Sequence, residues 1–203
     1  MAINYPNGKK FSPPKNQPVQ PVQKKKKDIS FSNRGKTLED ELNETNSFYL
    51  QRGLAVIHKK PVPVQIVRVE YPSRSAAVIR EAYFQAPSTT DYNGIWQGRY
   101  IDFEAKETEI RTSFPLKNIH EHQVHHMADI IRHGGLAFLI IRFSSLDRYF
   151  VLPFETLETY WKRMVTGGRK SMTLAEVEES SVEVKPGAFP RIDYLSVLHQ
   201  LMK

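Results

Sequence analysis

The chain has 203 residues, 40% of them hydrophobic, which suits one folded domain with appendages. It contains no cysteine, which excludes disulfides and thiolate sites, and no apolar run is long enough to span a membrane. The net charge of +7 favours a polyanionic partner. No signal-peptide pattern opens the sequence, so we expect a soluble, cytoplasmic protein.

The positive charge is concentrated near the N-terminus. Residues 1–36 hold nine of the 29 basic residues and one of the 22 acidic residues, so the remaining 167 residues carry 20 basic and 21 acidic groups. Residues 1–33 contain five prolines, a run of four lysines and no apolar periodicity. We therefore expect a disordered basic arm over 1–33 and a folded domain over 34–203. The arm could bind a polyanion or only solubilise the chain.

The folded part begins with a helix signal. Thr37 followed by Asp40 is typical of a helix N-cap, and apolar residues then recur at helical spacing, which predicts a helix over 37–51. LAVIHKK then indicates a short strand. Three prolines and alternating β-branched residues in 61–75 favour an edge strand or a projecting ribbon. A basic ribbon projecting over 59–75 could hold a phosphate backbone, and an edge strand protected by charge would give the same pattern equally well.

The rest of the chain mixes strands and helices. AVIREAYF (77–84) predicts a short helix, and residues 91–96 and 99–108 predict two strands joined at Gln97-Gly98. Helices are predicted over 119–133, 157–164 and 194–202, with a hairpin over 136–153. Elements of both kinds predict a mixed α/β sandwich.

The strand GRYIDFEAKET carries the main chemical signal. Residues two apart share a face, so Glu104 and Lys106 point the same way as Asp102, and Asp91 on the preceding strand lies within reach. Two carboxylates can hold Mg²⁺, which polarises a phosphodiester and acidifies a bound water, while the lysine orients that water or offsets transition-state charge. A solvated charged face would show the same short pattern.

Longer segments carry a more specific resemblance. TLEDELNETN, AVIHKKPVPVQIV, STTDYNG, GRYIDFEAKET and TSFPLKNIHEHQ resemble the RecU family of Holliday-junction resolvases, within the PD-(D/E)xK nuclease superfamily. The resemblance covers about residues 30–203, and the Pro-Asp dipeptide is replaced by Thr90-Asp91. It implies a restriction-endonuclease-like α/β core, with a mixed β-sheet flanked by helices, a projecting β-ribbon or stalk, and a homodimer.

The resemblance also implies roles for individual residues. Lys106 would stabilise the transition state, Asp91 and Glu104 would be catalytic, and the Mg²⁺ ligands would be Thr89, Asp91, Glu104 and Gln123. Mn²⁺ could replace Mg²⁺ at such an oxygen-ligand site. Contacts to DNA would come from the basic residues around the stalk: Lys59, Lys60, Arg68, Arg74 and Arg80.

Two further features leave alternatives open. In related archaeal resolvases a glutamate early in the first helix joins the metal site, so Glu39, with Glu41 as runner-up, is a candidate; a charged helix N-terminus explains both equally simply. His122 and His126 have helical spacing, but no cysteine or third ligand accompanies them, so we expect solvated or phosphate-facing histidines rather than zinc.

The sequence thus predicts a crossover junction endodeoxyribonuclease. It would nick opposing strands of four-way DNA junctions in recombination and repair, associated with the nucleoid, and the family is implicated in controlling the RecA recombinase. Two alternatives remain: a duplex- or flap-specific repair nuclease, and a non-catalytic DNA-binding or strand-annealing factor that modulates RecA.

Overall fold

A computed structural model describes residues 36–73, 76–85 and 89–201. The strands of its central sheet are β1 (Val56–Lys59), β4 (Tyr92–Trp96), β5 (Arg99–Thr108), β7 (Leu136–Phe143), β8 (Arg148–Pro153) and β10 (Val182–Val184). They lie in the order β1-β4-β5-β7-β8-β10. β5 and β7 pair in parallel and the other neighbours pair antiparallel, so the sheet is mixed, as predicted.

Helices cover both faces of this sheet. The side chains of α1 (Leu38–Gln51) and α5 (Leu195–Leu201) join one buried apolar cluster. Those of α2 (Glu121–Arg132), α3 (Phe154–Val165) and α4 (Leu174–Ser180) join a second cluster on the opposite face. The predicted α/β class, with a mixed sheet flanked by helices, is therefore confirmed. Within the described residues, no helix has the length and apolarity needed to cross a membrane.

The first helix begins where its cap signal predicted. The Thr37 hydroxyl accepts a hydrogen bond from the Asp40 amide, and the Asp40 carboxylate accepts one from the Thr37 amide, each at 3.2 Å. These two bonds satisfy donors that a helix N-terminus otherwise leaves unpaired. The capping box thereby fixes the first turn of α1, which carries Glu39 and Glu41.

The β4–β5 hairpin is also confirmed, with its turn at Gln97-Gly98. Both residues have positive φ, 49° and 75°, which matches the twist that a two-residue hairpin turn requires. Gly94 in β4 allows β1 to approach closely, because a Cβ atom there would lie 2.0 Å from the Val56 carbonyl oxygen. The register of the hairpin is therefore fixed by its turn and by the close packing of β1 against β4.

The segment AVIREAYF forms a strand, so the predicted helix over 77–84 is wrong. It is β3 (Ala76–Phe84), which pairs antiparallel with β2 (Val64–Ser73) in a two-stranded ribbon. Ala, Glu and Arg favour helix locally, but pairing with a neighbouring strand outweighs such preferences. The ribbon therefore extends to Phe84, whereas the expected stalk over 59–75 includes only its first strand.

Most of the remaining helices and strands were predicted, and several short elements were missed. The helices predicted over 119–133, 157–164 and 194–202 correspond to α2, α3 and α5, and the predicted hairpin is β7–β8. The small sheet of β6 (Ser113–Pro115) and β9 (Ser171–Thr173) was not predicted, nor were α4 and β10. Three-residue strands are too short to show periodicity. The expected basic arm over 1–33 and Arg74 lie outside the described residues.

Candidate active site

The β4–β5 register brings Asp91 and Glu104 together. Tyr92 pairs with Phe103, so Asp91, one residue before β4, lies opposite Glu104. The Asp91 amide donates a 3.1 Å hydrogen bond to Glu104 Oε2. In return, Asp91 Oδ2 accepts a weaker bond from the Ala105 amide at 3.4 Å. Directly opposite residues of an antiparallel pair share a face, so the two carboxylates converge as the sequence predicted.

Glu104 is buried in a way that disfavours its charge. Its side chain is 0% exposed, and its Oε1 atom has no hydrogen-bond partner of acceptable geometry within the described residues. Burial first, and then the negative charge of Asp91, raise the pKa of Glu104 to about 7. Lys106 opposes this shift, since its Nζ lies 2.5 Å from Glu104 Oε1. The site therefore holds excess negative character that one ammonium only partly offsets.

This arrangement fits a hard divalent cation. A cation held by Asp91 and Glu104 would offset the repulsion between their carboxylates that raises the pKa of Glu104, adding to the partial compensation that Lys106 already gives at Glu104 Oε1. In the described residues, no three acidic or histidine side chains converge on a common centre. Asp91 and Glu104 are the two carboxylates that converge here, and the Thr89 hydroxyl is a neutral oxygen in the cleft that Asp91 lines.

Thr89 and Glu39 share a cleft with Asp91. The cleft has a volume of about 240 Å³ and is also lined by Lys59, Lys60 and the Pro61–Pro63 segment. Glu39 forms an ion pair with Lys59 across it. Glu41, the alternative acid of α1, is buried away from this cleft, where it pairs with Arg191 and accepts a hydrogen bond from the Tyr149 hydroxyl at 2.8 Å. Of the two glutamates, only Glu39 therefore lines this cleft.

Gln123 has a different local role. Its Oε1 accepts a 3.0 Å hydrogen bond from the His120 amide and so caps the start of α2. The side chain is buried on the face of the sheet that carries Glu104. His122, on the same turn, has its pKa lowered by burial and by the positive charges of neighbouring histidines and Lys106. The predicted ligand role of Gln123 would require its oxygen to exchange this capping bond for a cation.

A second buried carboxylate was missed by sequence reasoning. Asp102 is 0% exposed and lies on the same face of β5 as Glu104. It accepts hydrogen bonds from Lys60 Nζ at 2.7 Å, from the Tyr100 hydroxyl at 3.0 Å and from the Thr90 hydroxyl. His126 Nε2 lies 3.3 Å from its Oδ2 without the alignment of a hydrogen bond. The only sequence signal was its place in the alternation of charged residues along the strand.

Four of the five predicted DNA-contacting residues, those within the described part of the chain, are held in ion pairs. Lys59 binds Glu39 and Lys60 binds Asp102, while Arg68 and Arg80 both bind Glu70 across the ribbon. With Glu81 included, the described ribbon strands carry two basic and two acidic residues. Their exposed surface is largely apolar: Val64, Ile66, Val67, Tyr71, Val78, Ile79, Tyr83 and Phe84.

Fold and site together define a class of α/β protein in which a D…E-x-K cluster of two carboxylates and a lysine spans two adjacent strands of a mixed sheet. The chain belongs to the RecU family: residues 33–200 match the family model described as Recombination protein U. The resemblance drawn from the sequence motifs is thereby confirmed.

The curated relatives are similar over nearly their whole length. A Bacillus cytotoxicus protein named Holliday junction resolvase RecU is 53% identical, and a Bacillus anthracis protein of the same name is 54% identical. Each alignment covers 98% of this chain and 97% of the relative. Among solved structures, the Holliday junction resolvase Hjc of Archaeoglobus fulgidus covers 70% of this chain and 94% of its own, with 11% identity and a TM-score of 0.40. That structural likeness is too low to carry an argument.

Proposed function

We propose that this chain is a metal-dependent endonuclease that resolves Holliday junctions in homologous recombination and DNA repair. The observation that carries the proposal is the hydrogen-bonded Asp91–Glu104 pair beside Lys106, in a chain more than half identical to relatives named Holliday junction resolvase RecU. Phosphodiester hydrolysis at such a site makes the protein a crossover junction endodeoxyribonuclease.

The two carboxylates divide the work of holding the cation. Asp91 lines the cleft, while Glu104 is fully buried and its Oε2 is held by the Asp91 amide. Thr89 and Gln123 would supply neutral oxygen ligands to the same cation. Oxygen ligands of this kind favour Mg²⁺, with Mn²⁺ as a substitute. When bound, the cation supplies positive charge that polarises the scissile phosphate and makes an attacking water more acidic.

Lys106 acts beside the carboxylates rather than as a ligand. Its ammonium can donate hydrogen bonds but has no lone pair for a cation. Held against Glu104 at 2.5 Å, it can orient the attacking water or stabilise charge that develops on the phosphate oxygens. Glu39 is paired with Lys59 and lines the same cleft as Asp91, so its carboxylate could contact the attacking water.

A four-way junction is nearly two-fold symmetric, which favours a homodimer with two equivalent sites. The ribbon would lie at the crossover and recognise its shape, and the exposed basic side chains of Lys59, Arg68 and Arg80 would meet phosphates. We further propose that the protein acts on nucleoid DNA in the cytoplasm and contacts the RecA recombinase there.

The paired character of the nicks gives a sharp test. A junction with labelled opposing strands should yield two nicked duplexes whose ends are 5′-phosphate and 3′-hydroxyl, so DNA ligase should seal them without further treatment. Products from one strand only, or ends that ligase cannot seal, would contradict junction resolution. Sealed products from a flap or plain duplex substrate at equal yield would favour a general repair nuclease.

A further inference from the structure

The strongest unexplained feature is the pair formed by Lys60 and Asp102. Asp102 is fully buried, and a buried carboxylate is costly unless it is paired and hydrogen-bonded. Lys60 supplies the positive charge at 2.7 Å, and the Thr90 and Tyr100 hydroxyls supply further donors. The pair lies on the same face of β5 as Glu104, two residues along the strand.

Lys60 joins this buried carboxylate to the segment that carries Asp91. Its Nζ also donates to the Thr90 hydroxyl at 3.0 Å. Its backbone amide donates a 2.7 Å hydrogen bond to the carbonyl oxygen of Asp91 itself. Lys60 therefore contacts Thr90 through its side chain and Asp91 through its main chain, while its ammonium is also bound to Asp102.

The same residue stands at the base of the ribbon. The Pro61–Pro63 segment follows it directly, and the Pro63 carbonyl accepts a 2.9 Å hydrogen bond from the Gln85 amide, which closes the ribbon base. The Lys60 side chain is only 18% exposed, and its ammonium is already paired. This geometry leaves it poorly placed for the phosphate contact that its charge alone predicted.

We infer that Lys60 and Asp102 are positioning residues, which hold the Thr90–Asp91 segment against β5 so that the Asp91 carboxylate stays opposite Glu104. The inference rests on the proposed function for the role of Asp91 as a metal ligand. Outer partners that orient ligating groups commonly change metal affinity by about 10- to 100-fold when removed. A phosphate contact, in contrast, would act on DNA affinity and its salt dependence.

The test compares Lys60→Met and Asp102→Asn with Lys162→Met. Lys162 forms an exposed ion pair with Glu158 on α3, so the control removes a lysine and an ion pair far from this network. Each variant is titrated with Mn²⁺ by calorimetry and with a four-way junction, in chelator, by gel shift. The hydrogen-exchange rate of the backbone amide of residue 60 is measured in the metal-free proteins. Pro61, the next residue, has no amide hydrogen that could overlap with this signal.

Both network variants should lose about 10-fold or more in Mn²⁺ affinity. Both should also exchange the Lys60 amide faster than the wild type, while junction affinity stays within about twofold. The double variant Lys60→Met/Asp102→Asn should bind Mn²⁺ about as tightly as either single variant, because the two changes remove the same interaction. Lys60→Arg keeps the charge and should recover most of the metal affinity. The Lys162→Met control should match the wild type throughout.

Three outcomes would overturn the inference. One is folded variants with normal Mn²⁺ affinity and normal exchange at Lys60. Another is a Lys60→Met protein that loses junction affinity and salt dependence while Asp102→Asn behaves as wild type, which would make Lys60 a phosphate contact. If the single variants fail to fold, Lys60→Met combined with Asp102→Leu replaces the ion pair by apolar contact. Normal Mn²⁺ affinity in that folded protein would mean that the Lys60–Asp102 pair contributes only to stability, and this result would also overturn the inference.

The exchange measurement needs neither metal nor DNA. If the wild-type protein failed to cleave junctions, the proposed function would fail. Exchange at Lys60 would still decide whether the Lys60–Asp102 pair fixes the Asp91 segment.

Discussion

Asp91 and Glu104 are linked through a main-chain hydrogen bond as well as by the pairing of their strands: the Asp91 amide donates to Glu104 Oε2 at 3.1 Å. The bond fixes the direction of the buried carboxylate before any cation arrives. Because the two proposed ligands are already oriented, little reorganisation would be needed if they bind a cation.

Removing either carboxylate charge should abolish cleavage and spare binding. Asp91→Asn and Glu104→Gln keep the side-chain shape but lose the charge that holds a cation. Cleavage of a four-way junction in Mg²⁺ should fall to background, while junction affinity in chelator should change by less than about threefold. Asp129→Asn, which alters an exposed acid on α2, serves as the matched control. Near-normal cleavage by either site variant would refute the assignment of the site.

Lys106→Ala should separate turnover from metal binding. The ammonium lies 2.5 Å from Glu104 Oε1 but cannot ligate a cation. Single-turnover cleavage should drop on the order of 100- to 1,000-fold, as for loss of one transition-state donor. Calorimetric Mg²⁺ affinity should change only modestly. Complete loss of metal binding in a folded variant would instead mean that Lys106 mainly organises the carboxylates.

Much of this pair was predictable, because it depends on local pattern. Alternation along β5 placed Glu104 and Lys106 on one face, and the Gln97-Gly98 turn set the register that brings Asp91 opposite. Lys60–Asp102 was not predictable, because the two residues are 42 positions apart and meet only through the path of the chain after β1. A lone lysine beside prolines is indistinguishable in sequence from a surface charge.

The secondary structure of the ribbon was also hard to predict, because it depends on pairing between two segments of the chain. The segment that forms β3 contains good helix formers, and its strand state depends on pairing with β2. The helix error also shortened the predicted stalk, since the second strand was assigned elsewhere. Elements with strong local signals, such as the capped α1 and the apolar β7–β8 hairpin, were predicted correctly.

The raised pKa of Glu104 gives the metal-free protein a distinctive pH dependence. Because burial and Asp91 raise this pKa to about 7, protonation of Glu104 favours the folded state. That stabilisation is complete below the unfolded value near 4.5 and is lost as pH rises through 7. Each pKa unit corresponds to about 1.4 kcal/mol.

Thermal unfolding in chelator should therefore show Glu104→Gln close to the wild type near pH 4.5 and clearly more stable at pH 8. Added Mg²⁺ should reverse the order at pH 8, because only the wild type gains stability from binding. Equal unfolding temperatures for both proteins at pH 8 in chelator would contradict a buried, charge-disfavoured Glu104.

The ribbon and the N-terminal arm should affect DNA binding differently. Replacing residues 64–84 by a short Gly-Ser linker is feasible because Pro63 and Gln85 are already hydrogen-bonded. This change should remove the preference for junctions over duplex, since a fixed array can discriminate shape. Deleting residues 1–28 should weaken binding to both DNAs by similar factors and flatten the salt dependence.

Gel shifts on matched junction and duplex DNA at two salt concentrations would measure both effects. Full junction selectivity in the ribbon-replaced protein would assign the selectivity to another surface of the protein.

The central claim is tested most directly by cleavage of one labelled four-way junction and its component duplexes, each with Mg²⁺ and with chelator. The account predicts paired nicks in opposing strands of the junction in Mg²⁺ only, with the duplexes left largely intact, and no nicks by Glu104→Gln under the same conditions. Cleavage that persists in chelator, equal cleavage of duplex and junction, or no cleavage by a folded wild-type protein in Mg²⁺ or Mn²⁺ would contradict it.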